Sequence, residues 1–284
     1  MKTKITCFVI TIFLVIPRIG YTSNFENNRL AKGQSQRISR NSIQQTDSLL
    51  NNIEHKINKA FVKDLINQTD GGLVTLEQAL QNMNKTNNNS IIVYWYSYAC
   101  YYHSIFSLIQ NDLKKSEKMN DEGIEALDEV DPKNSEHYAL LAFMKSLSIK
   151  YSAGIKIPFI SASVKKYAEK ALSLDSVNLR AYYVLGSNDF YTPEQYGGGK
   201  KAEGYFKKAI QLDNQSVKNP YLPSWGKNSA YELLIRLYIK RKQFDEAKNY
   251  YHQAIALFPN DYMIKKLGRE LNKNSNQYYI QHNH

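Results

Sequence analysis

The sequence predicts an all-α protein, a right-handed α-solenoid of about eleven helices joined by irregular loops. The first observation behind this is the segment NSAYELLIRLYIKRKQFDEAKNYYHQAIALFPND at 228–261. Counted from Asn228, Tyr231 stands at position 4, Leu234 at 7, Tyr238 at 11, Ala247 at 20, Tyr251 at 24, Ala254 at 27 and Pro259 at 32 of a 34-residue unit. A large residue at 4 facing small ones at 20 and 27 lets two antiparallel helices approach closely, and Pro259 ends the second because it cannot continue the hydrogen-bond ladder. The second observation is recurrence. With Leu179 at position 1, Tyr182, Leu185, Ala202, Phe206 and Ala209 take equivalent places, and with Ser135 at 1, so do Tyr138, Leu141, Ala168 and Ala171. The third is spacing. Ala171 to Ala209 is 38 residues and Ala209 to Ala254 is 45, each exceeding 34 by the length of an insert that lies in a loop.

The elements follow in order. Lys2 and Lys4 precede a 12-residue apolar run, Ile5–Ile16, with small and polar residues near Gly20–Ser23. This pattern predicts a signal peptide over 1–22, with an uncleaved anchor as the alternative. Residues 23–45, rich in Asn, Gln, Ser and Arg, are expected to form a disordered linker. The helical domain is expected over 46–273. Leu50, Ile53, Ile57, Ala60, Phe61 and Leu65 carry a helical period that Asp70-Gly71-Gly72 stops. Thr75 and Gln78 read as a capping box opening a short helix through Met83. The YWYSYACYY run at 94–102 has strand propensity, yet it lies between helical patterns and carries Ser97, Ala99 and Cys100 as small faces. A long buried helix over 91–109 is therefore expected. Another helix follows from about Asp112 to Glu129, ended by Asp131-Pro132. About ten extra residues around YSAGIKIPFIS widen the turn of the next pair. A final helix from about Asp261 to Asn272 would cap the array, and 274–284 reads as a flexible tail.

Composition narrows the function classes. The apolar fraction of 43% supports a core, and the 22 tyrosines far outnumber the 2 tryptophans. Net charge is +11, but the lysines are dispersed and form no dense block, so no nucleic-acid partner is expected. Cys100 alone remains after the leader, too few for an internal disulfide. No H-E-x-x-H pair, zinc spacing or G-x-S-x-G elbow occurs, and His282 and His284 fall in the tail. No catalytic residue, metal or cofactor is expected, and the protein reads as a non-enzyme.

The 228–261 spacing resembles the tetratricopeptide repeat (TPR), and two or three units share it. That resemblance implies a scaffold binding a protein or peptide in a concave groove lined by positions 2, 5, 9 and 12 of each first helix. These are Arg180, Tyr183, Ser187 and Phe190 in one unit and Ser229, Glu232, Arg236 and Ile239 in the last. The competing expectation is that loops 191–199 and 215–227, the latter with the apolar Pro220–Trp225 segment, cover this groove. Gly197, Gly198, Gly199 and Lys200 lead into a helix and form a possible anion-binding loop, though without P-loop spacing. Residues 178–212, with an aromatic-Pro segment, a Gly-Gly turn and a K-A-x-x-x-F-x-K-A-I helix, are similar to the helical T-component of TRAP transporters. That second resemblance implies an alternative, a periplasmic accessory component holding a small apolar ligand. On either reading the chain is expected to be exported, periplasmic or extracellular, and without a membrane span once the leader is removed.

Overall fold

The computed structural model describes residues 48–282, apart from 88, 215–218 and 220. The expected signal peptide at 1–22 and linker at 23–45 lie outside the described residues. Eleven α-helices have their bounds within the described residues: α1 (Ile53–Asn67), α2 (Gly71–Asn87), α3 (Ser90–Ile109), α4 (Leu113–Asp128), α5 (Ser135–Leu147), α6 (Lys156–Leu174), α7 (Leu179–Tyr191), α8 (Ala202–Gln211), α9 (Lys227–Lys240), α10 (Phe244–Leu257) and α11 (Tyr262–His282). Short 3₁₀ turns follow α5 (Ser148–Tyr151) and α7 (Glu194–Tyr196).

Each odd-numbered helix through α9 packs against the even-numbered helix that follows it, giving five antiparallel hairpins with α11 as an unpaired end. The odd helices also touch one another in succession from α1 to α11, whereas no two even helices make more than slight contact among the described residues. A close inner row beneath a spread outer row curves the array toward the inner row, so the odd helices line its concave face. The all-α solenoid of TPR-like hairpins expected from the repeat is the fold observed.

Small residues set the hairpin spacing. A Cβ at Gly186 in α7 would stand 2.6 Å from the Phe206 ring of α8, and one at Gly123 in α4 would stand 2.9 Å from Cys100 Cβ of α3. Phe206 is fully buried in the gap that Gly186 leaves. In α3, small Ser97, Cys100 and Ser104 are fully buried beside large Trp95 and Tyr98, and the Asn89 side chain caps the helix by accepting from Ile91 N. Helix–helix burial on nearly all sides overrides the strand propensity of this run.

Helix boundaries differ from the sequence expectation in α2, which also runs to Asn87 rather than ending at Met83, and in α11. Helix α2 begins at Gly71 rather than at the Thr75 box, because Asp64 of α1 reaches across and accepts from Gly72 N (3.0 Å) and Leu73 N (2.8 Å). A cap supplied nine residues upstream leaves no local signature. Helix α11 runs past Asn272 to His282, held where Ser275 is buried and the Tyr278 ring meets that of Phe244 at 5.3 Å.

The five hairpin turns line one edge of the solenoid and are stitched in sequence. Asp70 of the first turn takes an ion pair from Lys115 of the second and lies 3.2 Å from His103 Nε2. The Tyr151 hydroxyl of the third lies 2.8 Å from both Ser104 Oγ and Ser116 Oγ. Near the third and fourth, Ser161 Oγ donates to Asn188 Oδ1 at 2.9 Å. Between the fourth and fifth, Arg241 donates to Gly199 O at 2.9 Å.

Candidate functional site: a concave face half covered by its own loop

The face formed by α3, α5, α7 and α9 is divided in two. Residues 221–226, just before α9, form a strap across its N-terminal half. Trp95 Nε1 donates to Tyr221 O at 2.9 Å, and Trp225 Nε1 donates to Tyr94 OH at 2.8 Å. Ser224 donates through both N (2.7 Å) and Oγ (3.0 Å) to Glu54 of α1. The Trp225 ring stacks on Tyr98 at 5.8 Å and Phe143 at 4.8 Å.

Beneath the strap lies a buried ionic layer. Arg180 Nε donates to Glu136 Oε2 at 2.6 Å and Nη2 to Glu136 Oε1 at 2.8 Å, a bidentate pair. Its Nη1 donates to Pro223 O and Trp225 O at 3.3 and 3.2 Å, and its guanidinium lies 5.8 Å over the Trp225 ring. Asn178 completes the layer by donating to Glu136 Oε1 (2.8 Å) and to Ser135 Oγ (2.9 Å), while capping α7 through Ala181 N. Burial works against the charge on Arg180, but Glu136 outweighs it and its pKa stays raised. Burial also raises the Glu54 carboxyl, against the hydrogen bonds from Ser224.

The C-terminal half is not covered by the strap. Tyr101 and Tyr191 are half-buried there, and half-buried Phe143, stacked on Trp225 of the strap, borders it, with Tyr101 and Phe143 at 4.5 Å and Phe143 and Tyr183 at 6.0 Å between ring centroids. Charge flanks these rings. Arg236 Nε donates to Glu232 Oε1 at 3.0 Å, and its Nη1 donates to both carboxylate oxygens of Glu270 at 3.0 and 2.9 Å. Burial raises the Glu232 carboxyl despite Arg236, and Glu232 Oε2 accepts no hydrogen bond among the described residues. Burial, then the Glu232 charge, pushes the Tyr191 hydroxyl up to about 12.

The groove residues read from the repeat divide between these regions. Arg180 is completely buried, and Tyr183 lies edge-on to Trp225 at 6.3 Å. Ser229, Glu232 and Arg236 are buried, while Ser187, Phe190 and Ile239 are half-buried on the inner row. Of the possible anion loop, Gly197 and Gly199 adopt φ of 87° and 76°, values open to glycine, and Lys200 is exposed. The backbone N–H groups that open α8 are met from within the chain. The Asp189 carboxylate accepts from Lys201 N and Ala202 N at 2.8 Å each, and Asp189 O accepts from Gly199 N at 2.8 Å.

Sequence reasoning assigned no groove role to Tyr101, Phe143, Tyr191 or Glu270. The tyrosine-rich 94–102 run was the available signal for Tyr101, and nothing local marks Glu270, which belongs to the next helix. Along α3 the rings of Trp95 and Tyr98 meet edge-on at 5.5 Å, and those of Tyr98 and Tyr102 at 5.1 Å. Among the described residues no cluster of three His, Cys, Asp or Glu could hold a metal ion, and no helix is long and apolar enough to cross a membrane.

No family model and no curated protein matches the chain. Among solved structures it is similar to the HusA haemophore from Porphyromonas gingivalis, at 21% identity and TM-score 0.47, covering 59% of this chain and 84% of that one. It is similar to TTC0263, a thermophilic TPR protein of Thermus thermophilus, at 14% identity and TM-score 0.48, covering 72% and 91%. A third likeness is to YrrB, a TPR protein with an unusual peptide-binding site, at 12% identity and TM-score 0.34, covering 79% and 97%. On its own helix pairing, the chain is an all-α array of TPR-like hairpins.

Proposed function

We propose that this chain is an exported, non-catalytic scaffold that captures a protein or peptide partner on the uncovered half of its concave face. The observation that carries the reading is the group of half-buried rings, Tyr101, Phe143 and Tyr191, set beside the Glu232–Arg236–Glu270 charge array. Aromatic side chains give area at low entropic cost, and neighbouring charge gives register. The partner is an extended segment that inserts an apolar side chain among the rings and offers a polar backbone to the charges. Export rests on the Lys2, Lys4 and Ile5–Ile16 leader. The reading as a carrier of a small apolar ligand draws no support from α3, whose rings pack on one another and on Trp225.

Crosslinking with mass spectrometry on the protein in its native host tests the proposal, using wild type and the variants Tyr191→Ala and Tyr101→Ser. A peptide crosslinked near the rings in wild type and lost in both folded variants is the expected result. Equal capture by all three proteins would reject the concave-face reading.

A further inference from the structure

The edge that carries the hairpin turns holds the most exposed apolar side chains among the described residues. Four large apolar side chains among the described residues are at least 70% exposed: Ile66 (70%), Ile155 (79%), Phe159 (71%) and Tyr196 (75%). All four stand at hairpin turns, and Leu113, 49% exposed, stands at a fifth position on the same edge, whereas Val177, Leu174, Leu257 and Tyr262 of the opposite edge are 43%, 49%, 57% and 49% exposed. The stitches between successive turns tie these positions into one edge of the solenoid.

The balance of charge also differs between the two edges. Exposed Lys114, Lys156, Lys200, Lys201, Arg241 and Lys242 sit at these turns and outnumber exposed Asp112, Glu194, Asp245 and Glu246 there. The loops of the opposite edge carry Asp128, Glu129, Asp131 and Asp213, all exposed. The hairpin edge is therefore net basic, and an acidic group of loop residues lies across the solenoid from it.

We infer that the hairpin edge docks on a bilayer surface containing anionic lipid. Apolar side chains interleaved with lysines at one level suit the headgroup boundary, where the apolar groups enter and the ammonium groups remain among the phosphates. The spacing favours a bilayer over a folded acidic protein. The exposed apolar groups are spread over the first, third and fourth turns, with Ile155 and Phe159 sharing the third, and do not make up the continuous core that a stable protein interface buries. A planar lipid surface accepts them individually. The concave face stays open when the edge is docked, because it is formed by the sides of the odd helices and not by their ends.

The test uses the full chain with a tryptophan placed at the rim. Trp95 and Trp225 are both buried, so a Phe159→Trp variant adds an emission that reports position 159. A Leu174→Trp variant reports the opposite edge, and a leader that inserts by itself produces neither signal. Vesicles of phosphatidylcholine with phosphatidylglycerol are expected to shift the Phe159→Trp emission to the blue, and brominated acyl chains to quench it, with Leu174→Trp unaffected. Adding Lys156→Glu and Lys200→Glu to Phe159→Trp is expected to weaken vesicle binding about tenfold or more, since each reversal replaces an attractive charge by a repulsive one. An unchanged Phe159→Trp emission, equal quenching of Leu174→Trp, or an equal response to pure phosphatidylcholine overturns the inference. A response to polyglutamate without one to vesicles would reassign the rim to an acidic polypeptide and also overturn it.

Discussion

The two halves of the concave face come from the same inward-facing row of the repeat, yet they end in opposite states. Arg180 is the second residue of α7 and Ser187 the ninth, one helix with one periodicity. Arg180 is sealed under the strap with Glu136, whereas Ser187 and Phe190, farther along the same helix, stay half-buried. The repeat fixes which residues point inward, and the insert before α9 decides which of them solvent reaches. A buried bidentate pair is tolerable only when every lone pair and donor finds a partner, and the strap's carbonyls supply the last of these.

The most disruptive way to break this contrast is Arg180→Ala. It strands Glu136 in the buried layer and is expected to cost about 3–5 kcal/mol, read as a lower urea midpoint. Arg180→Met combined with Glu136→Gln should recover most of that loss, which separates the stranded charge from lost packing. On the open half, Tyr191→Ala is expected to change the urea midpoint little while weakening partner capture by about tenfold, because exposed anchors contribute to binding more than to folding. A comparable loss of stability at Tyr191 would erase the distinction between the halves.

A smaller effect is expected at the glycine loop. Asp189→Ala removes the carboxylate that caps α8 and should cost about 1 kcal/mol, measured by thermal or urea unfolding. Asp189→Asn, which still accepts a hydrogen bond, should lose less.

The finest contrast is between two buried histidines. His103 lies between Glu77 (2.9 Å) and Asp70 (3.2 Å), and although burial alone lowers its pKa, Glu77 outweighs that and raises it. Nδ1 of His137 accepts from Asn134 N (3.2 Å) and its Nε2 faces Ser90 O (3.1 Å), the neutral tautomer, and burial lowers its pKa. The stability from His103 is therefore full below the unfolded value of about 6.5 and is lost as pH rises through its raised folded pKa. That from His137 is full above about 6.5 and is lost as pH falls through its lowered folded pKa. Urea midpoints measured across pH are expected to fall on both sides, with His103→Gln flattening the alkaline limb and His137→Gln the acid limb.

The hairpins were legible in the sequence because Ala202, Phe206 and Ala209, like Ala247 and Ala254, mark contacts made within about thirty residues. The N-cap at Asp112 was equally local. What was not legible depends on distance along the chain. Asp64 caps a helix it does not belong to, and Glu136 is paired with Arg180 on another hairpin. Tyr191 and Glu232 come together only when α7 lies against α9. The Pro220–Trp225 segment was apolar enough to suggest a cover, but the destination of Trp225 against Tyr94, Tyr98 and Phe143 is set by shape and not by spacing.

The strap has one more consequence, for how the chain unfolds. A repeat array is nearly one-dimensional, and its units can melt from an end. Here Ser224 is bonded to Glu54 across 170 positions and Trp225 to Tyr94 across 131, so α1, α3, α5 and α7 share a fastening that belongs to the C-terminal third. Loss of the last hairpin would loosen the first. Such a circuit couples the ends of the array, trading local fraying for a single cooperative transition and, because distant segments must meet first, for slower folding than hairpins alone would require.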